Sequence, residues 1–207
     1  MEQEAAATNE SSPATPPGRR ERKKQETRER LHRAALKFFA EQGYPQTRIA
    51  EIADAADVSE STFFRYFESK EGVALEGLRR LLQAIVEAVR ARPVHESPVE
   101  ACLAVSTSPE TAGFRPNTDE AGEFALLATI PELAPRVMAM AAKFVGVLAE
   151  DVARRLGEPA ASVRVRLQAH ALSAAGNAAM EVWLADPMCV DLKAASLEAL
   201  TELQQGL

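Results

Sequence analysis

The sequence predicts an all-α fold, and three observations predict it. Apolar residues recur at three- and four-residue spacing along nearly the whole chain, which puts them on one face of a helix. No stretch alternates long enough for a strand, since Val163-Arg164-Val165-Arg166 lies inside a longer helical pattern. Prolines fall at the edges of the periodic segments, where the chain must leave a helix or enter one.

The 207 residues are enough for two small domains with buried cores, and 46% of them are hydrophobic. No run approaches the roughly 18 uncharged apolar residues of a membrane span. Met1 to Pro17 is built from Ala, Glu, Ser, Thr and Pro without an apolar centre. This is no secretory signal, and residues 1–18 are expected to be a disordered tail. Cys102 and Cys189 are the only cysteines, far apart and without metal-ligand spacing. They are expected to be half-buried packing residues in a cytoplasmic protein with no metal site and no cofactor.

From Leu31 the residues Ala34, Ala35, Phe38 and Phe39 form a first helical face, and Gly43 stops it. Leu75, Leu78, Leu82, Ile85 and Val89 form another, the face of a linking helix over about 70–92 that ends before Pro93. A short helix follows over Val99–Val105, and residues 106–117 form a Pro/Gly/Ser/Thr-rich connection. Helical texture returns at 119–129; Pro131 and Pro135 then introduce a long helix stopped by Gly157. Ser162–Asp186 is a further long helix, and Asp191–Leu203 is the last.

At about 100° per residue, Val163, Leu167, Ala171, Ala174, Ala178 and Val182 line one side of the 162–186 helix. Val165, Ala169, Leu172, Gly176, Ala179 and Trp183 line nearly the opposite side. A helix apolar on two faces must be buried on both. One face packs on its own domain, and the other, with the amphipathic helix 191–203, predicts a four-helix interface in a homodimer.

The net charge of −6 is unevenly spread: residues 19–37 hold nine basic and three acidic side chains, so this stretch is +6 and the rest is −12. A basic end on an acidic body suits a protein that presents one surface to a polyanion. Arg19 to Lys24 is expected to act as a basic arm beside that surface.

The adjoining segment, Thr47 to Gly72, reads TRIAEIADAADVSESTFFRYFESKEG. Thr47 is placed to cap a short helix with Ile49, Ile52 and Ala53 inside. A turn follows at Ala56-Asp57-Val58, and Ser59 caps a second helix with Thr62, Phe63 and Phe67 inward. Two short helices joined in this way are a helix-turn-helix, whose second helix enters the major groove of double-stranded DNA. Arg48, Glu60, Ser61, Arg65 and Tyr66 are left outward, with Lys70 just beyond.

Over Lys24–Leu75 these residues resemble the TetR family of regulators: Gly43-Tyr44, Ile-Ala-x-x-Ala-x-Val-Ser, Thr-Phe-Phe-x-Tyr-Phe and Ser-Lys-Glu. The resemblance implies a three-helix DNA-binding head over 19–70 and a larger helical ligand-binding and dimerisation domain over 71–207. It implies phosphate contacts from Thr47, Tyr66 and Lys70, with Arg48, Ser61, Thr62 and Arg65 near the bases; Ser59 and Glu60 complete the DNA-binding set, Glu60 either accepting from a cytosine amine or repelling the backbone. Two departures stand out. Asp57 occupies the turn position where glycine is usual, and Asp tolerates the left-handed conformation better than most residues. Phe64 stands where tyrosine is common, so one phosphate hydrogen bond is expected to be missing.

The C-terminal half, with Leu126-Leu127-Ala-Thr-Ile-Pro131-Glu-Leu and Trp183-Leu-Ala-Asp, resembles the subgroup of mycofactocin-associated regulators. That resemblance implies an acyl-CoA-like effector; the twofold dimer predicts a palindromic operator, from which the effector is expected to release the regulator as a repressor. Phe114, Phe124, Leu127, Met138, Met140, Phe144 and Trp183 are the expected lining of a pocket for this small apolar ligand, because such side chains adapt to a flexible chain. The alternative is a regulator whose C-terminal core is filled and takes no effector.

An enzyme is the rival class, but the chain has no Gly-rich phosphate loop, no Gly-x-Ser-x-Gly elbow and no His-Glu-x-x-His. Of its three histidines, His32 is expected at the surface, His170 on the dimer face, and His95 beside the pocket region.

Overall fold

The computed structural model describes residues 18–107, 118–186 and 189–206, all helices, turns and connections without a strand among them. Ten α-helices follow in order: α1 (Arg19–Gln42), α2 (Ile49–Ala55), α3 (Glu60–Tyr66), α4 (Lys70–Ala74), α5 (Glu76–Arg90), α6 (Pro98–Thr107), α7 (Thr118–Ala128), α8 (Ala134–Leu156), α9 (Val163–Ala185) and α10 (Leu192–Gln205). A 3₁₀ turn, Pro131–Leu133, precedes α8. The expected tail over residues 1–17 and Phe114 lie outside the described residues. No single helix among the described residues is long and apolar enough to cross a membrane.

Local chemistry sets the helix ends. Gly43 leaves α1 at φ +88°, its N–H bonded back to the Phe39 carbonyl at 3.1 Å, and Gly157 ends α8 in the left-handed conformation. Ser59, Ser162 and Asp191 cap α3, α9 and α10 by accepting a backbone N–H. The expected linking helix is broken at Leu75 into α4 and α5. Arg19 to Lys24 are the first turns of α1 rather than a separate arm.

One core gathers the inner faces of α1 to α4: Leu31, Ala35, Phe39, Ile52, Phe63, Phe67 and Val73 are buried together. That core continues beyond the head, because Leu127 of α7 and Ile130 and Leu133 around the 3₁₀ turn are buried in it. A second core joins α8, α9 and α10 through Leu148, Val152, Val165, Ala169, Leu172 and Leu200.

The two apolar faces of α9 separate as the sequence predicts. Val165, Ala169, Leu172, Ala179 and Trp183 are buried, while Val163, Leu167 and Val182 are 83%, 68% and 55% exposed. Gly176, expected on the inner side, is exposed.

Buried charge ties distant elements together. Arg155 of α8 donates to the carbonyls of Val89 (2.7 Å) and Pro93 (2.6 Å) and to Asp151 (2.6 Å), fixing the end of α5 against α8. His32 corrects the expectation of a surface histidine: it is buried. Its Nδ1 lies 2.7 Å from the Val73 carbonyl and its Nε2 3.0 Å from Glu123 of α7. The reason is its register: His32 lies one turn before Ala35 and two turns before Phe39, on the buried side of α1.

Candidate nucleic-acid interface and adjoining cleft

The reading face begins with the turn that presents it. Asp57 adopts φ +53°, the only positive φ outside glycine among the described residues, so aspartate does fill the turn position. The Val58 N–H returns to the Ala53 carbonyl at 3.0 Å and closes the turn. Phe63 and Phe67 then anchor α3 from within, their ring centroids 5.8 Å apart.

Opposite those rings, Glu60, Ser61, Phe64 and Arg65 are exposed and Thr62 and Tyr66 are partly so. The Ser59 hydroxyl accepts the Thr62 N–H at 3.2 Å and donates to the Thr62 hydroxyl at 3.0 Å, which preorganises the start of α3. The Arg65 guanidinium lies 5.5 Å from the centre of the Tyr66 ring. Arg48 lies at the N-terminus of α2 with its side chain exposed, and the Glu51 carboxylate accepts its backbone N–H at 2.8 Å. That hydrogen bond is the main reason the exposed Glu51 carboxyl is held below the usual carboxylate range.

The cap of α2 is therefore Arg48 and not Thr47, a shift of one residue. Thr47 is buried, its hydroxyl donating to the Gly43 carbonyl at 2.9 Å. Lys70 is also engaged internally. Its ammonium donates to the carbonyls of Tyr44 (2.7 Å), Thr47 (3.0 Å) and Pro45 (3.4 Å) and sits 4.4 Å from the centre of the Tyr44 ring. Both side chains thus brace the connection between α1 and α2.

Arg28 holds the C-terminal end of α3 to α5. Its guanidinium grips the Glu76 carboxylate, donates to the Tyr66 carbonyl at 3.0 Å, and lies 4.5 Å over the Phe67 ring. Arg79 grips the same carboxylate from α5. Burial works to raise the Glu76 carboxyl, but the two guanidiniums overcome it and hold it at about 2.

Beside this joint opens a cleft of about 710 Å³. Tyr66, Phe67, Glu68 and Ser69 of the head and Glu71 and Gly72 of α4 close one end, α5 supplies Leu82 and Val86, and α8 supplies Arg136, Met140, Lys143, Phe144 and Val147. The α8 residues fall at spacings of four, three, one and three, so one helical face lines the cleft. Arg136 helps to lower the Glu71 carboxyl across the cleft, and Glu68, Glu76 and Glu87 lie on the same walls.

Of the seven expected pocket residues, the cleft gathers Met140 and Phe144. Leu127 is in the head's core, and Phe124 packs beside it, with its ring 6.2 Å from the buried Trp183. Met138 is 70% exposed, away from the cleft. The cations Arg136 and Lys143 were not singled out in the sequence, although their seven-residue spacing places them on one face with Met140. Cys102 is half-buried, as expected, and desolvation, aided by Asp151, pushes its thiol up to about 12. Cys189 is exposed rather than half-buried, and its hydrogen bond with Asp186 raises its thiol as well.

Comparison with known proteins fits this geometry. Residues 31–76 match the family described as bacterial regulatory proteins of the tetR family, and residues 96–207 match the MftR C-terminal domain. TcmR of Streptomyces glaucescens, a helix-turn-helix transcriptional regulator, is 44% identical over 93 residues, covering 44% of this chain and 41% of that one. The chain thus spans less than half the length of that relative. MftR of Mycobacterium tuberculosis, named for regulation of mycofactocin biosynthesis, is 27% identical over 172 residues, covering 80% of this chain and 83% of that one. Among solved structures, Thermus thermophilus FadR, a repressor in complex with lauroyl-CoA, has a TM-score of 0.56 at 27% identity, covering 87% of this chain and 94% of that one. NalD of Pseudomonas aeruginosa, a repressor of a multidrug efflux pump, shares the fold with a TM-score of 0.63 at 19% identity, covering 88% of this chain and 98% of that one. These relatives are named as regulators, not enzymes. With a matching helix-turn-helix head and an MftR-type domain over more than half its length, the chain belongs to the TetR family of DNA-binding transcriptional regulators.

Proposed function

We propose that this regulator is a repressor that binds a palindromic operator as a twofold dimer and is released by an elongated effector with an apolar chain and an anionic end. The observation that carries this reading is the cleft, because its walls belong to both the DNA-reading head and α8. Leu82, Val86, Met140, Phe144 and Val147 suit an apolar chain, and the α8 cations Arg136 and Lys143 suit phosphate or carboxylate. An acyl-CoA has both parts.

On DNA, α3 enters the major groove with Glu60, Ser61 and Arg65 outward, and Arg48 and Tyr66 flank it. Ser59 and Thr62 preorganise that face, while Thr47 and Lys70 hold α2 behind it. The dimer forms through the exposed apolar face of α9 together with α10, where Val163, Leu167, Val182 and Leu197 are open. The head comprises residues 19–70 and the effector and dimer domain residues 71–207, although they share a core. Ligand in the cleft favours a conformation in which α4 and α5 shift relative to α8, changing the spacing of the two reading helices. Reciprocity then requires that operator DNA weaken ligand binding by the same factor.

The test titrates acyl-CoAs of increasing chain length against the protein bound to a duplex selected from a random-sequence library. Release that strengthens with chain length, and weakens when Arg136 and Lys143 are both changed to Ala, is expected. Release by none of them overturns the acyl-CoA assignment and favours a filled core with no such effector.

A further inference from the structure

We propose that Phe64 is a specificity-determining residue that reads the methyl group of a thymine in each half-site. The proposal rests on the reading of α3 as the helix that enters the major groove.

On the head, Phe64 is the exposed large hydrophobic residue among those described, at 52%. It sits on the exposed surface with Ser61 and Arg65, three residues before and one after it, and next to the buried Phe63. Its ring is not loose, for the buried Phe63 ring meets it edge-on at 5.5 Å with an interplanar angle of 85°. Arg65 is drawn sideways over Tyr66 and leaves the Phe64 ring open. An apolar ring, held along one edge by Phe63, therefore projects from a surface otherwise made of hydrogen-bonding side chains.

The major groove offers one apolar feature at base level, the C5-methyl of thymine. The other edges there are donors and acceptors, which a phenyl ring cannot satisfy and would desolvate. Without a hydroxyl, Phe64 has no hydrogen bond to give a phosphate, so its contribution is contact with that methyl. The flanking Ser61 and Arg65 supply hydrogen bonds to neighbouring base edges.

The experiment selects duplexes with the full-length protein from a random-sequence library, then replaces each thymine of the selected site singly with deoxyuridine. That change deletes the methyl and leaves base pairing intact, so it needs no protein variant. One thymine per half-site is expected to lose roughly fourfold in affinity, the value of one buried methyl-sized group. Phe64→Ala is expected to bind the thymine and deoxyuridine duplexes equally and to select a site without preference at that position. The proposal is overturned if no thymine methyl affects affinity. It is also overturned if the methyl effect persists in Phe64→Ala, or if that variant weakens all sequences by one factor. If the wild-type protein selects no sequence at all, the reading of α3 itself fails.

Discussion

The guanidinium of Arg28 meets the carboxylate of Glu76 side-on, with Nε 2.6 Å and Nη2 2.7 Å from its two oxygens. The third arm of Arg28 holds the last carbonyl of the reading helix, so one residue joins α1, α3 and α5. A bidentate grip fixes angle as well as distance, which makes this contact a rigid joint between the head and the linking helices.

Glu76 gives a pH signature. Its folded carboxyl is held at about 2, below the ordinary value of 4.5. Stability from this site is therefore complete above the ordinary value and drains away as pH falls towards the folded one, by up to roughly 3 kcal/mol. Glu76→Gln should lower stability at neutral pH by about 3 kcal/mol or more, because two guanidiniums lose their carboxylate. It should also lose less stability between neutral pH and about pH 3 than the wild type does. Urea midpoints at the two pH values measure both effects, and equal acid losses would dismiss Glu76 as their source.

Gly77 tests the joint between head and second domain. A Cβ there would clash with Glu123 Oε1, the atom that faces His32. Gly77→Ala should push the buried Glu123 carboxylate aside and lower stability by about 1–3 kcal/mol, the range for overpacking a closely packed site. Adding Glu123→Ala should recover part of that loss by removing the clash. Thermal melts of both variants decide it, and a wild-type melting temperature in Gly77→Ala would count against so tight a packing.

Lys70 separates bracing from phosphate contact. With its ammonium on three carbonyls, Lys70→Ala should lower the melting temperature by several degrees, as expected for about 1 kcal/mol or more in a domain of this size. It should weaken DNA binding without changing the salt slope. A slope reduced by about one with an unchanged melting temperature would assign the ammonium to a phosphate instead.

Leu167 tests the assembly. It lies 68% exposed on the open face of α9, one turn after Val163. Leu167→Glu should convert a dimer to a monomer in sedimentation at micromolar concentration and reduce operator affinity by several orders of magnitude, since half-sites would bind singly. A wild-type sedimentation coefficient in this variant would move the interface elsewhere.

The sequence by itself determined the helices, their stops and the helix-turn-helix, because those depend on residues a few positions apart. Asp57 in the turn, Ser59 as a cap and the two faces of α9 are examples. Tertiary structure decided what depends on closing long loops. Arg28 and Glu76 are 48 residues apart, Val89 and Arg155 are 66 apart, and no local periodicity pairs them. His32 reads as one more polar residue of a basic helix until α7 arrives to bury it beside Glu123. The cleft follows the same logic: Met140 and Phe144 were legible as large apolar side chains, but which apolar residues fill a core and which line a gap depends on how helices pack. Burial is a property of the neighbours a fold supplies, and hydrophobicity alone does not name them.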